Sequence, residues 1–268
     1  MPAKRVNQYE RAFRAWPILT ATASRSTTIT YSELADRLHI HPRPIRFVLS
    51  VIQDWCLDEK KPPLTIVVVS RYTHRPGHGF IAWDINDLEE GYRQVYSLQW
   101  LELANPFGFA EGDITPEELA HRLVAKPEEA AEVYARIRNR GFAQVVFRLA
   151  LLAAYRQRCA FCGLSLRVAL QAAHIIPWSH ASPAERVLPS NGLLLCSTHH
   201  ALFDSKILTV ATDLRIRCRQ SELPGHQWND EDRRAAVALD GRLIVLPADV
   251  RHRPSKAALA YRASVLQD

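Results

Sequence analysis

The chain predicts an α+β fold in two domains joined by a helical linker. Its 268 residues exceed what one small core needs. Residues 1–100 alternate helix-like apolar stripes with a β-branched run, while the second half carries paired metal-ligand spacings. Together these predict an N-terminal winged helix-turn-helix-like domain and a C-terminal zinc-stabilised domain.

The N-terminal elements follow in order. Residues 7–21 predict a helix whose apolar members are Tyr9, Phe13, Trp16, Ile18 and Leu19, with Pro17 as a kink or break. Thr30-Tyr31-Ser32-Glu33 has capping-box form and opens a short helix to about Leu38. His41-Pro42-Arg43-Pro44 marks a turn, and Ile45, Val48, Leu49 and Ile52 give the next helix its stripe. Leu64–Val69 predicts a strand and Phe80–Trp83 a returning one, with a basic turn at 71–79 between them. Helix, helix, helix, hairpin is the order of a winged helix-turn-helix. Arg43 and Arg46 then stand near the start of the recognition helix, and Arg71, His74, Arg75 and His78 on the wing. The same order also suits a protein-interaction module, and both readings stay open.

Residues 85–99 predict a further helix, and Asn105–Gly108 a linker. Thr115-Pro116-Glu117-Glu118 starts another helical stretch, interrupted near Lys126-Pro127 and Gly141 and running to Tyr155. The expected organisation is a winged-helix-like domain at 1–100, read as a candidate for DNA recognition, a helical linker at 101–145 and a second domain at 146–268.

Composition narrows the function classes. Hydrophobic residues make up 47% and charged residues 23%, which excludes a disordered chain. The net charge of +6 permits a polyanionic partner without requiring one. No apolar run reaches the roughly 18 residues of a membrane span, and the N-terminus lacks a signal-peptide pattern. The five cysteines, Cys56, Cys159, Cys162, Cys196 and Cys218, are an odd number in a long chain. That argues against a disulfide framework and for a reducing, cytoplasmic setting where clustered cysteines bind metal.

The chemistry concentrates between 155 and 210. Cys159-x-x-Cys162-Gly163 and Cys196-x-x-His199 form two half-sites that suit tetrahedral zinc. His174 stands in Ala172-Ala173-His174-Ile175-Ile176-Pro177-Trp178. Asn191 lies five residues before Cys196. His200 and Asp204 are four apart on an expected helix and share a face, whereas His199 is turned away from His200.

These residues resemble the HNH (His-Asn-His) endonuclease family, and more narrowly a bacterial subgroup of restriction endonucleases. The resemblance runs from Phe147 to Leu208: Tyr155-Arg156-Gln157-Arg158-Cys159, Ala173-His174-Ile175-x-Pro177, Asn191-Gly192-Leu193 and His200-Ala201-Leu202-Phe203-Asp204. It implies a β-hairpin and helix around a metal, the ββα-metal fold. It also implies His174 as general base, Asn191 holding the active-site loop, and His200 and Asp204 as ligands of a catalytic divalent cation such as magnesium. Many members carry a metal ligand just before the base; here that residue is Ala173.

Beyond Ile207 the chain predicts a hairpin from Ile207–Val210 and Leu214–Arg217, a tight turn at Asp240-Gly241, and a closing helix at Ser255–Leu266. Cys218 reads as structural, and Arg215, Arg217 and Arg219 alternate on one strand face, open to phosphate or solvent. The expected function is a metal-dependent endonuclease on double-stranded DNA, with a structural zinc, restricting foreign DNA whose bases carry or lack modifications. A homodimer would turn single-strand nicks into double-strand breaks. The alternative is a zinc-stabilised DNA-binding regulator without catalysis, which leaves His174, Asn191, His200 and Asp204 unexplained.

Overall fold

The computed structural model describes residues 6–137 and 140–265. It divides into two compact units, Met1–Thr115 and Pro116–Asp268.

The first unit opens with α1 (Gln8–Ser24), capped by the Asn7 side chain, which accepts from the Tyr9 and Glu10 N–H groups. Pro17 lies within α1 rather than ending it. A proline at that position removes the N–H that would bond the Phe13 carbonyl; the Asn105 amide donates to that carbonyl instead, at 2.9 Å. β1 (Ile29–Thr30) leads into α2 (Tyr31–Leu38), where Thr30 and Glu33 form the expected capping box. α3 (Ile45–Asp58) buries Ile45, Val48, Leu49 and Ile52. β2 (Val68–Val69) pairs with β1 in parallel, and α4 (Leu88–Ser97) follows. Trp16 anchors the core, with ring centroids 5.0 Å from Trp55 and 5.9 Å from both Trp100 and Phe107.

Two expectations fail in this unit. Leu64–Val67 is a 3-10 turn, strand geometry is confined to Val68–Val69, and Phe80–Trp83 forms no strand. The β-branched run misleads because all of Leu64–Val69 is buried, so no alternation of faces is imposed, and Pro62-Pro63 starts a tight turn. The Ile66 N–H bonds back to the Pro63 carbonyl at 2.8 Å. Asn105–Gly108 is no free linker either: Phe107 is fully buried in the Trp16 cluster. The helical stretch at 101–145 is thus divided between the two units.

The second unit begins with α5 (Pro116–Ala125), α6 (Ala130–Ile137) and α7 (Arg140–Ala154). α7 packs against the hairpin of β3 (Leu170–His174) and β4 (Gly192–Cys196), whose antiparallel register sets His174 opposite Gly192 and Leu170 opposite Cys196. α8 (Ser197–Asp204) follows β4 directly and covers the hairpin. This is strand, long loop, strand, helix. β5 (Leu208–Val210) and β6 (Ile216–Cys218) form the second expected hairpin, and Gly241 (φ +73°) supplies the turn after Asp240. α9 (Asp230–Ala235) and α10 (Lys256–Val265) complete the unit. The expected closing helix matches α10; Leu266 lies outside the described residues. Cys218 is half-buried, with its N–H bonded to the Asp240 carboxylate. Arg215, Arg217 and Arg219 are held within the chain by the Gly241 carbonyl, Asp213 and Glu222.

Candidate active site

One helix, one hairpin and one turn bring four metal-ligand side chains together. Cys159 and Cys162 sit in the turn after α7. Gly163 (φ +77°) closes that turn by donating its N–H to the Cys159 carbonyl, a conformation that any side chain would strain. Cys196 ends β4 and His199 lies in the first turn of α8. One ligand atom from each of the four lies within 4.8 Å of the others. His199 Nδ1 is 3.1 Å from Cys196 Sγ and 3.5 Å from Cys159 Sγ. Its Nε2–H donates to the Ala235 carbonyl at 3.1 Å, which fixes the tautomer and leaves Nδ1 as the ligand atom.

The donor set fits zinc. Burial alone would push the Cys159 thiol up, but the His199 ring and the N–H groups of Cys162, Cys196 and Phe161 pull it down to about 6. Burial raises Cys162 to about 12 and also raises Cys196, and the neighbouring Cys159 adds to both shifts. Three crowded thiols cannot all ionise by themselves; a divalent cation among them removes that penalty.

The second group lies at the loop end of the hairpin. His174, the last residue of β3, is half-buried, and its Nε2 is 3.0 Å from the Arg186 carbonyl. A carbonyl can only accept, so Nε2 carries the proton and Nδ1 keeps a lone pair. Phe147 stacks on the imidazole at 4.0 Å with 15° between planes, and Trp178 meets it edge-on at 5.8 Å. Burial lowers the His174 pKa; the Arg186 carbonyl opposes that shift and the Arg140 charge reinforces it. The stacked Phe147 ring requires Gly192, because a Cβ there would come within 2.5 Å of it.

Asn191 is 2% exposed and spends its amide on the loop between the strands. Oδ1 accepts from the Ile176 N–H at 2.9 Å, and Nδ2 donates to the carbonyls of Glu185 and Ile176. The backbone adds a bond from the Ile175 N–H to the Asn191 carbonyl. Asn191 thus ties down both ends of the segment that carries Arg186, the partner of His174.

His200 and Asp204 form a third group on the outer face of α8, with Nδ1 3.1 Å from Asp204 Oδ2. Ala173, where a further ligand is often found, is buried toward the core. Among the described residues the Cys159, Cys162, Cys196 and His199 cluster is the one group of three or more potential ligands, so His200 and Asp204 stand as a pair. In the first unit, Arg43, Arg46, Arg71, His74 and Arg75 are all exposed. Arg46 lies over the Phe47 ring at 4.6 Å, Arg71 over Tyr72 at 5.3 Å, and Arg75 donates to the Ile85 carbonyl.

Several residues around His174 escape a reading of the sequence. The Arg186 guanidinium donates to Tyr134 Oη at 2.7 Å and stands over the Trp178 ring at 5.0 Å, and Arg140 also lies over the Trp178 ring, at 5.4 Å. Arg186 acts on His174 through a backbone carbonyl, which leaves no trace in residue type. Phe147 reads as one more apolar residue of α7. Trp178 lies four residues after His174, so its place beside the imidazole is local in sequence.

Residues 159–211 match the family model described as HNH endonuclease. No curated protein matches the chain. Among solved structures, the modification dependent TagI restriction endonuclease is similar at 25% identity, over 46% of this chain and 38% of that one, with a TM-score of 0.31. The match thus spans well under half the length of that protein.

Proposed function

We propose that the chain, which carries an HNH endonuclease domain over residues 159–211, is a metal-dependent endonuclease hydrolysing phosphodiester bonds of double-stranded DNA. The observation that supports this most is the bond from His174 Nε2–H to the Arg186 carbonyl. It leaves Nδ1 as a base, and the lowered pKa keeps that nitrogen unprotonated near neutral pH, as proton abstraction from water requires. Phe147 and Trp178 hold the ring in place, and Asn191 holds the loop. Asp204 Oδ2 accepts from His200 Nδ1, so His200 presents Nε2 outward, and the second Asp204 oxygen remains available beside it. A magnesium-like cation held by His200 and Asp204 would neutralise the scissile phosphate and the leaving oxygen. Cys159, Cys162, Cys196 and His199 would hold a structural zinc.

The first unit is assigned to duplex recognition. Its order of helix, short strand, two helices and short strand supports a winged-helix-like reading without a full hairpin. Arg43, Arg46, Arg71, His74 and Arg75 would supply its phosphate and base contacts. Restriction of foreign DNA, including DNA with modified bases, is the use this pairing suits, in the cytoplasm, with a homodimer cutting both strands. Among the described residues no helix is long and apolar enough to cross a membrane.

The test is plasmid nicking with and without added magnesium, on methylated and unmethylated DNA. The wild type is expected to nick only with the cation, and His174→Ala to bind DNA but not cut it. Cleavage by His174→Ala at the wild-type rate would remove the base assignment. Binding without any cutting by the wild type would favour the regulator.

A further inference from the structure

The first unit contains a half-open cavity of about 180 Å³, walled by Tyr31 and Phe80 and reached past Ser50 and Arg46, with Gln53 and Thr65 also lining it. That is about six times the ~30 Å³ share of one water, yet below the roughly 300 Å³ of a drug-sized site. It suits a single ring system. Two polar groups are left unspent there. The Thr65 hydroxyl is buried and has no hydrogen-bond partner. Gln53 is 4% exposed and uses Oε1 to accept from the Ile81 N–H, while its Nε2 donates to no group among the described residues. Leaving a buried hydroxyl such as that of Thr65 unpaired is costly, and such cost persists where a ligand completes the set. Tyr31 is fixed by accepting the Gly77 N–H at 2.8 Å, so one aromatic wall is preset.

The rim argues for what enters. Arg46 is exposed at the mouth, and Arg43 lies three residues before it, exposed in the turn that leads into α3. Phe47 and Ile81 each directly follow a cavity residue in the chain and are 48% and 74% exposed. Apolar side chains of that kind, beside arginines, serve proteins that push between stacked bases. A preset aromatic wall, an amide donor and a hydroxyl match the faces and edge of a heterocycle attached to a polyanion.

We propose that this cavity receives one nucleobase swung out of a DNA duplex, with Tyr31 and Phe80 against its faces and Gln53 Nε2 and Thr65 Oγ1 on its polar edge. This rests on the reading of the first unit as a duplex binder. Phe47 and Ile81 fill the gap the base leaves in the stack.

The experiment uses the full chain, without added magnesium, and fluorescence anisotropy on two short duplexes that differ by one G·T mismatch. Extrusion is cheapest where pairing is already weak, so the mismatched duplex should bind about tenfold more tightly. Thr65→Val, which removes the unpaired hydroxyl, and Ser50→Trp, which plugs the mouth from an exposed position, should abolish that preference. Both should keep the melting temperature and the affinity for the paired duplex. A wild type that binds both duplexes equally, or variants that keep the preference, would overturn the cavity assignment. Failure to bind either duplex, or paired-duplex affinity unchanged in Arg43→Ala/Arg46→Ala, would overturn the duplex-binding role beneath it.

Discussion

On α8 the inner face carries His199 and Phe203, both buried, and the outer face carries half-buried His200 and exposed Asp204. One residue step, about 100° of helix, separates them. His199 meets two thiols and a backbone carbonyl, all of which the fold positions rigidly. Among the described residues His200 meets the Asp204 carboxylate, which is itself open to solvent. The difference teaches that burial and the number of fixed partners divide the two jobs. A ligand surrounded by fixed partners can hold a fold together. Under the proposed function, a ligand whose partner is open to solvent leaves room for a substrate and its waters.

If the inner face is structural, stripping its metal should have the largest effect. Structural zinc contributes about 10–16 kcal/mol in small zinc-finger peptides, so prolonged chelation or Cys159→Ser should unfold the second unit. Elemental analysis of folded, active protein showing no zinc would break this side of the comparison.

Asn191→Ala should come next. It removes three side-chain hydrogen bonds and leaves the buried Ile176 N–H unpaired, a loss of about 2–4 kcal/mol. Denaturant unfolding should show this, with zinc retained. A stability change within about 0.5 kcal/mol, the range of an ordinary surface substitution, would mean the loop is held by other contacts.

Much of this site is legible in the chain itself. Two half-sites of Cys and His at zinc spacing need no tertiary knowledge, because ligand geometry dictates the spacing. His174 and Asn191 are legible as a motif, and the capping box at Thr30 and Glu33 as local chemistry. What escapes is whatever depends on packing between distant segments. Phe147 stacks on a histidine 27 positions away, and the Arg186 carbonyl is chosen by a loop path rather than by a side chain. Leu64–Val69 misleads for a related reason: β-branched residues buried on every side give no face to read.

The pH profile sharpens the outer side. The folded pKa of His174 lies below its ordinary value of 6.5, mainly through burial. The neutral base therefore persists below pH 6.5, and the acid limb of kcat/KM should fall beneath that value. The stabilisation linked to this group is fully present above about 6.5 and is lost as pH falls through the window down to the folded pKa. An acid limb at or above 6.5 would contradict the placement of His174 as the base.

Asp204→Asn should have the smallest effect on the fold, since an exposed pair contributes about 0–1 kcal/mol. Cleavage should drop by about 10–100-fold, the usual consequence of losing the group that orients a metal ligand. Unchanged nicking kinetics would make Asp204 an ordinary surface carboxylate.

The most direct measurement sets His200→Ala beside His199→Ala and follows zinc content, melting temperature and magnesium-dependent plasmid nicking on both. His200→Ala is expected to keep one zinc per chain and the wild-type melting temperature while losing most nicking; His199→Ala should lose all three. Loss of zinc from His200→Ala, or nicking by it at the wild-type rate, would contradict the division of α8 into a structural and a catalytic face.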